Sequence, residues 1–250
     1  MIAVVAACSA EAQPPKEAAP AVAVVAVAAP DWDQVVAAVA TRRAALAKAW
    51  RDAPDADTRA VVRDLASRML VTAIRDELAP RWLGMAWGLG RNSTATRPFE
   101  PDHTIACSCF VGAVLQGADF ELHDRFQLGQ AAAKTIQESL VGAPGKVHRF
   151  YSIPPDELAF RIAALGDGVY VIGLDVHVGL VVVRGDDVRF VHASYTGDRV
   201  VTDEPLATAQ AIANSQPKGY FVSPIVVTRG PADDWLIERW LRGDPVGPGG

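Results

Sequence analysis

The chain has 250 residues, half of them hydrophobic, and a formal net charge of −5. That is enough for one sizeable domain, or for a small helical piece plus one domain. The mild acidity offers no basic surface to a nucleic acid or an anionic membrane, and no apolar run approaches the roughly 20 residues of a membrane span. The only cysteines are Cys8, Cys107 and Cys109; the last two are separated by a single residue, a poor spacing for mutual bridging, so a disulfide scaffold is excluded.

Residues 1–30 open with an apolar run, and Val5, Ala6 and Ala7 then precede Cys8. An aliphatic residue, two small ones and a cysteine resemble the bacterial lipoprotein box, and the resemblance implies an export leader with Cys8 as the lipidated residue after cleavage. It further implies an extracytoplasmic, membrane-anchored protein, with Ser9 after the cysteine pointing to the periplasm and outer membrane. The Ala- and Pro-rich stretch that follows suits an extended tether. Seven residues precede Cys8 and none is Lys or Arg, so a leader of this kind expects a start upstream of Met1; a disordered Ala-rich tail with an inert thiol is the alternative reading.

The spacing then predicts two helices in a region spanning 31–80. The first covers 31–53, capped by Asp31, with Val35, Val36, Val39, Leu46 and Trp50 at helical intervals, and Pro54 ends it. The second covers 57–78, capped by Asp57 or Thr58, with Val61, Leu65, Met69 and Ile74 as its buried stripe and Pro80 as its stop. A long loop follows over 81–104, rich in glycine and carrying Trp82 and Trp87; loops of this length in compact domains are often functional. Helices are expected over 105–115 and 127–140. From Gly166 onward the pattern changes to strands, VYVIGL, HVGLVVV, VRFVHAS and YFVSPIVV, before a last amphipathic helix in DWLIERWL. Helices first and antiparallel strands afterwards make an α+β fold, with a hydrolase domain over 81–242 and a disordered tail over 243–250.

Cys107 falls in the first turn of the 105–115 helix, where unpaired backbone N–H groups and the helix dipole favour a thiolate and could hold an oxyanion. Cys109, two positions on, is rotated away and reads as a small buried hydrophobe. In DVHVGLVVVRGDDVRFVHAS a hairpin closed by Arg184 to Asp187 sets Val183 opposite Val188, Val181 opposite Phe190 and Gly179 opposite His192. His177 and His192 then become diagonal neighbours on one face, with Gly179 leaving the space between them open. A cysteine hydrolase needs this arrangement: one histidine takes the thiol proton and a polar neighbour holds its ring. A one-residue slip would part the two rings. His103, His123 and His148 read as loop or surface residues. No Cys/His spacing suggests zinc and no glycine-rich phosphate loop is visible, so neither cofactor nor metal is expected.

The motifs Trp87-Gly88, Cys107-Ser108-Cys109-Phe110-Val111, His177-Val178-Gly179 and Val191-His192-Ala193 resemble, in order, those of the NlpC-type papain-like cysteine peptidases. The resemblance runs from Trp82 to Tyr195, with Ala106 in place of the usual Asp and Cys109 in place of the usual Gly, a divergent branch. It implies a papain-like core in which N-terminal helices pack on an antiparallel sheet, with Cys107 as nucleophile, His177 as base, His192 as orienter and Trp87 at the substrate cleft. It implies hydrolysis of an amide in a cell-wall peptide. Relatives of this arrangement also include amidases and acyltransferases acting on lipid, and a non-catalytic envelope binding module on the same fold is a third reading. The partners expected are thus a cell-wall peptide or another amide, the membrane only through the lipid anchor, and no nucleic acid.

Overall fold

The computed structural model describes residues 31–122, 136–137, 147–229 and 235–246. Cys8, His123 and most of the helix expected over 127–140 lie outside them.

Helix α1, Trp32–Asp52, begins in a reciprocal cap: Asp31 accepts from the Gln34 N–H and the Gln34 side chain accepts from the Asp31 N–H. Helix α2, Ala56–Thr72, starts one residue earlier than its pattern suggested, because Asp55 is in extended backbone and accepts from the Thr58 N–H at 2.7 Å. Its buried stripe also differs. Val61 and Leu65 are 67% and 50% exposed, while Ala66, Ser67, Leu70 and Val71 face inward. Hydropathy periodicity gives little weight to small residues such as Ala66 and Ser67, yet these allow close approach to the core. The chain does not stop at Pro80. It widens into a π turn over Ala73–Leu78 and tightens into a 3-10 turn over Ala79–Trp82, where Pro80 occupies a first-turn position that needs no N–H.

Trp82 is fully buried, with its ring edge-on to Trp32 at 5.5 Å and Phe110 at 6.1 Å. The loop after it is fixed by its own backbone. Gly84 and Trp87 donate to the carbonyls of Val201 and Arg199, and Ile105 and Ala106 donate to those of Ala86 and Ser93. These bonds set the start of helix α3, Cys107–Gly117, against the end of the sheet.

The sheet has strands β1 His148–Phe150, β2 Asp167–Gly173, β3 Val178–Arg184, β4 Asp187–Ala193, β5 Val201–Pro205 and β6 Tyr220–Arg229. All pairings are antiparallel, in the order β1-β6-β2-β3-β4-β5. The β3–β4 hairpin has the expected register, Val183 opposite Val188 and Val181 opposite Phe190. Helices α4, Pro155–Ala163, and α5, Gln210–Ser215, follow β1 and β5, and α6, Trp235–Arg242, follows β6.

Both faces of the sheet are covered. One core joins α1, α2, α3 and α6 to Val169, Val171, Val178, Leu180 and Val191; the other joins α4 and α5 to Tyr170, Ile172, Val181 and Phe190. The helical 31–80 region therefore shares its core with the sheet, and the fold is α+β. Of the tail expected to be disordered over 243–250, residues 243–246 are described and are tied to the fold. Val246 is 1% exposed and donates its N–H to the Glu121 carbonyl at 2.7 Å. Trp240 also ties α6 to the end of α3, its Nε1–H reaching the Ala118 carbonyl at 2.8 Å.

Candidate active site

Three elements converge at one end of the sheet. Helix α3 begins with Cys107, β3 begins one residue after His177, and β4 carries His192 as its penultimate residue. Gly179 is required between the histidines. A Cβ there would lie 2.8 Å from the Cβ of His192 and 2.6 Å from the Phe190 ring, closer than side chains tolerate.

The two rings meet directly, His177 Nε2 to His192 Nδ1 at 2.7 Å, and the far nitrogen of His192, Nε2, lies 2.9 Å from Glu204 Oε1 on β5. Phe190 stacks on His192 with centroids 3.9 Å apart and planes 16° apart. Tyr195 packs edge-on against His177 at 5.1 Å, and Trp87 lies against Tyr195 at 6.4 Å with the Arg199 guanidinium 4.5 Å over its indole. Trp87 is thus joined to the histidine pair through Tyr195 and to α3 through its bridge with Ile105. Trp82, the other tryptophan of the loop, belongs to the core.

Charge is expensive here. His177 is 4% exposed and His192 fully buried. Burial, and then the neighbouring His192, push His177 down to about 3. Burial also lowers His192, against the opposing pull of Glu204. The helix-start argument for Cys107 needs a correction. The N–H groups of Val178, Ser108 and Cys107 do favour its thiolate, but burial outweighs them and raises the thiol above its ordinary range. Burial thus favours the neutral form of both groups, the thiol of Cys107 and the imidazole of His177.

The Val178 N–H, one residue from His177, is among the groups that favour the Cys107 thiolate, and no hydrogen bond joins the sulfur to the His177 ring. Cys107 and Val178 belong to the core on the α3 side, whereas His177 packs with Phe190 on the other face. The direct thiol–imidazole contact expected from the sequence is therefore not formed. Cys109 is buried in the α3-side core, as expected.

His103 keeps to its loop, with Nδ1 2.8 Å from the Pro101 carbonyl oxygen. His148 is half-buried rather than a surface residue, and its strand forms the opposite edge of the sheet from β5. Sequence reasoning missed Glu204 and Tyr195. The alternation Thr202, Glu204 in VTDEP was the available signal for Glu204, had a third strand been added to the hairpin. Among the described residues no group of three or more His, Cys, Asp or Glu is placed to hold a metal ion. A cleft of about 300 Å³ lies between Arg75, Leu83, Arg184 and Arg189, and none of the residues lining it is Cys107, His177 or His192.

Compared with known proteins, the chain matches no family model, no curated protein and no solved structure.

The buried neutral histidines predict a pH dependence of stability. In the unfolded chain each titrates near the ordinary value of about 6.5, whereas in the folded chain His177 stays neutral down to about 3. The unfolded state then binds more protons, so stability is fully present above about 6.5 and is lost as pH falls below it, with a slope of up to about 1.4 kcal/mol per pH unit for each such group. Urea unfolding between pH 7 and 5, above the ordinary carboxylate range, should show this slope, and His177→Gln should flatten it. Equal slopes in the two proteins would refute the burial account.

Proposed function

We propose that the chain is a cysteine hydrolase in which Cys107 attacks an amide carbonyl and His177 takes the thiol proton. The observation that carries this reading is the 2.7 Å contact from His177 Nε2 to His192 Nδ1, one residue from a backbone N–H that favours the Cys107 thiolate. With Nε2 engaged by His192, Nδ1 of His177 is the ring nitrogen available as the base, and the reaction requires the two side chains, Cys107 and His177, to come into contact when substrate binds. As the Sγ–carbon bond forms, the proton moves to Nδ1, and the positive end of α3 lies beside the developing oxyanion. Collapse of the adduct breaks the carbon–nitrogen bond. The amine leaves with the proton from His177, and water then cleaves the thioester with His177 again as base. His192 orients the ring and Trp87 lines the cleft.

The NlpC-type, papain-like resemblance makes an amide in a cell-wall peptide the substrate of choice. A lipid amidase or acyltransferase is the second reading, favoured by exposed Val176 immediately before His177 and by exposed Leu89 two residues beyond Trp87. For location we propose an extracytoplasmic protein anchored through lipidated Cys8. This rests on the leader sequence alone; no described helix is long and apolar enough to cross a membrane. Radiolabelled palmitate should enter the wild-type chain in a bacterial host and not Cys8→Ala, and an unmodified leader on cytoplasmic protein would contradict the anchor.

Purified cell wall and phospholipid vesicles, assayed side by side for released products, separate the two substrates. Cys107→Ala and His177→Ala should each lower turnover at least about a thousandfold, His192→Ala should leave partial activity, and Cys109→Ala should leave it near wild type. Turnover undiminished in Cys107→Ala would exclude the hydrolase and favour a binding module.

A further inference from the structure

We propose that Glu204 is a positioning residue that selects the tautomers of the histidine pair, so that Nδ1 of His177 carries the lone pair that accepts the thiol proton. Its catalytic consequence rests on the hydrolase reading above; the tautomer selection itself does not.

Two neutral imidazoles joined by one hydrogen bond have two arrangements. In the first, His177 donates its Nε2–H to His192 Nδ1, and His177 Nδ1 is free to act as a base. In the second, His192 donates its Nδ1–H to His177 Nε2, and His177 carries its proton on Nδ1. Only the first can take a proton from Cys107. The ring-to-ring contact alone does not choose between them, because either nitrogen can be the donor across 2.7 Å.

Glu204 chooses. An ionised carboxylate has no proton to give, so at 2.9 Å from His192 Nε2 it can only accept. His192 must then carry its proton on Nε2, its Nδ1 is an acceptor, and His177 is forced to donate from Nε2. The second arrangement would set the Nε2 lone pair of His192 against a carboxylate oxygen at that distance. Strand pairing holds Glu204 in place, since β5 lies on β4 with His192 opposite Thr202 and Phe190 opposite Glu204.

The charged groups around the pair leave Glu204 in this position. On the same two strands Arg189 and Asp203 pair with each other at 2.9 Å. Tyr195 packs on the His177 ring, and Cys107 lies on the other side of β3, at the start of α3. The Glu204 side chain is 30% exposed while His192 is fully buried, so the carboxylate meets solvent on one side and the dry ring on the other. When the thiol proton reaches His177, the same carboxylate favours the positive charge through His192.

The test uses the full chain and two independent readouts. The first is the ring ¹⁵N chemical shifts of His177 and His192 at pH 7, which distinguish protonated from pyridine-like nitrogens. In the wild type both rings should be protonated on Nε2, with Nδ1 pyridine-like. In Glu204→Leu the preference should be lost, with His177 Nδ1 at least partly protonated. The near-isosteric Glu204→Gln, which keeps an acceptor and removes the charge, should be intermediate, and Glu204→Asp should restore much of the wild-type pattern.

The second readout is acetyl transfer from p-nitrophenyl acetate. Sγ bonds to the acetyl carbon, the ester C–O bond breaks, nitrophenolate leaves and the thiol proton goes to His177; water then hydrolyses the thioester to acetate and restores the thiol. Glu204→Leu and Glu204→Gln should lower kcat roughly ten- to a hundredfold with little change in KM. Glu204→Asp should recover much of the lost kcat, whereas a merely structural role would not follow the charge. Unchanged tautomers in Glu204→Leu together with an unchanged kcat in Glu204→Gln would overturn the proposal. Ester turnover that persists in Cys107→Ala would instead overturn the hydrolase reading, and the ring shifts would still decide the role of Glu204.

Discussion

Two imidazoles brought to 2.7 Å of each other, nitrogen to nitrogen, and closed off from water impose a strict condition on the rest of the site. The contact is attractive only when one nitrogen carries a proton and the other does not, and burial makes a charge on either ring costly. The condition is met by residues that do nothing else in common. Gly179 gives the rings room, Phe190 stacks under His192, Tyr195 closes the side of His177, and Glu204 accepts the outermost N–H. A pair held neutral in this way keeps its accepting nitrogen unprotonated at neutral pH but is a weaker base than an exposed histidine, which would be partly protonated.

The half-buried Cys107 responds to desolvation in the opposite direction. A thiol at a helix start in water would ionise more easily, but Cys107 is raised by its burial despite three backbone N–H groups that favour its thiolate. A resting thiolate–imidazolium pair is therefore disfavoured, and the proposed reaction requires the proton to move to His177 as the sulfur attacks. Hydrogen bonds of this kind tighten when substrate fills a site. The proposed reaction also requires the Cys107 sulfur and the His177 ring, which pack on opposite sides of β3, to come into contact.

Much of this was legible in the sequence, and for identifiable reasons. The β3–β4 register followed from alternating valines around a short turn, and with it the adjacency of His177 and His192, because side-chain direction in a strand repeats every two residues. Cys107 was placed by the apolar phase of α3, and Asp31 by the reciprocal cap that Gln34 completes. What escaped had weaker local signals. The inward face of α2 is built partly from Ala66 and Ser67, which carry little hydropathy. Strand β5 is short and polar, VTDEP, so nothing in it announced a strand, and Glu204 was hidden with it. The burial that raises Cys107 depends on packing between distant elements and could not be read from the helix start alone.

The central claim, that Cys107 is the reactive thiol and that burial keeps it protonated at rest, is tested most directly by timed iodoacetamide alkylation across pH with peptide mapping of the modified cysteine. The account predicts modification at Cys107 and protection of Cys109 in the folded chain, with a rate that is low at neutral pH and climbs steadily above the ordinary thiol range. Alkylation of Cys109 in preference to Cys107, or a Cys107 rate already at its plateau at pH 6, would contradict it.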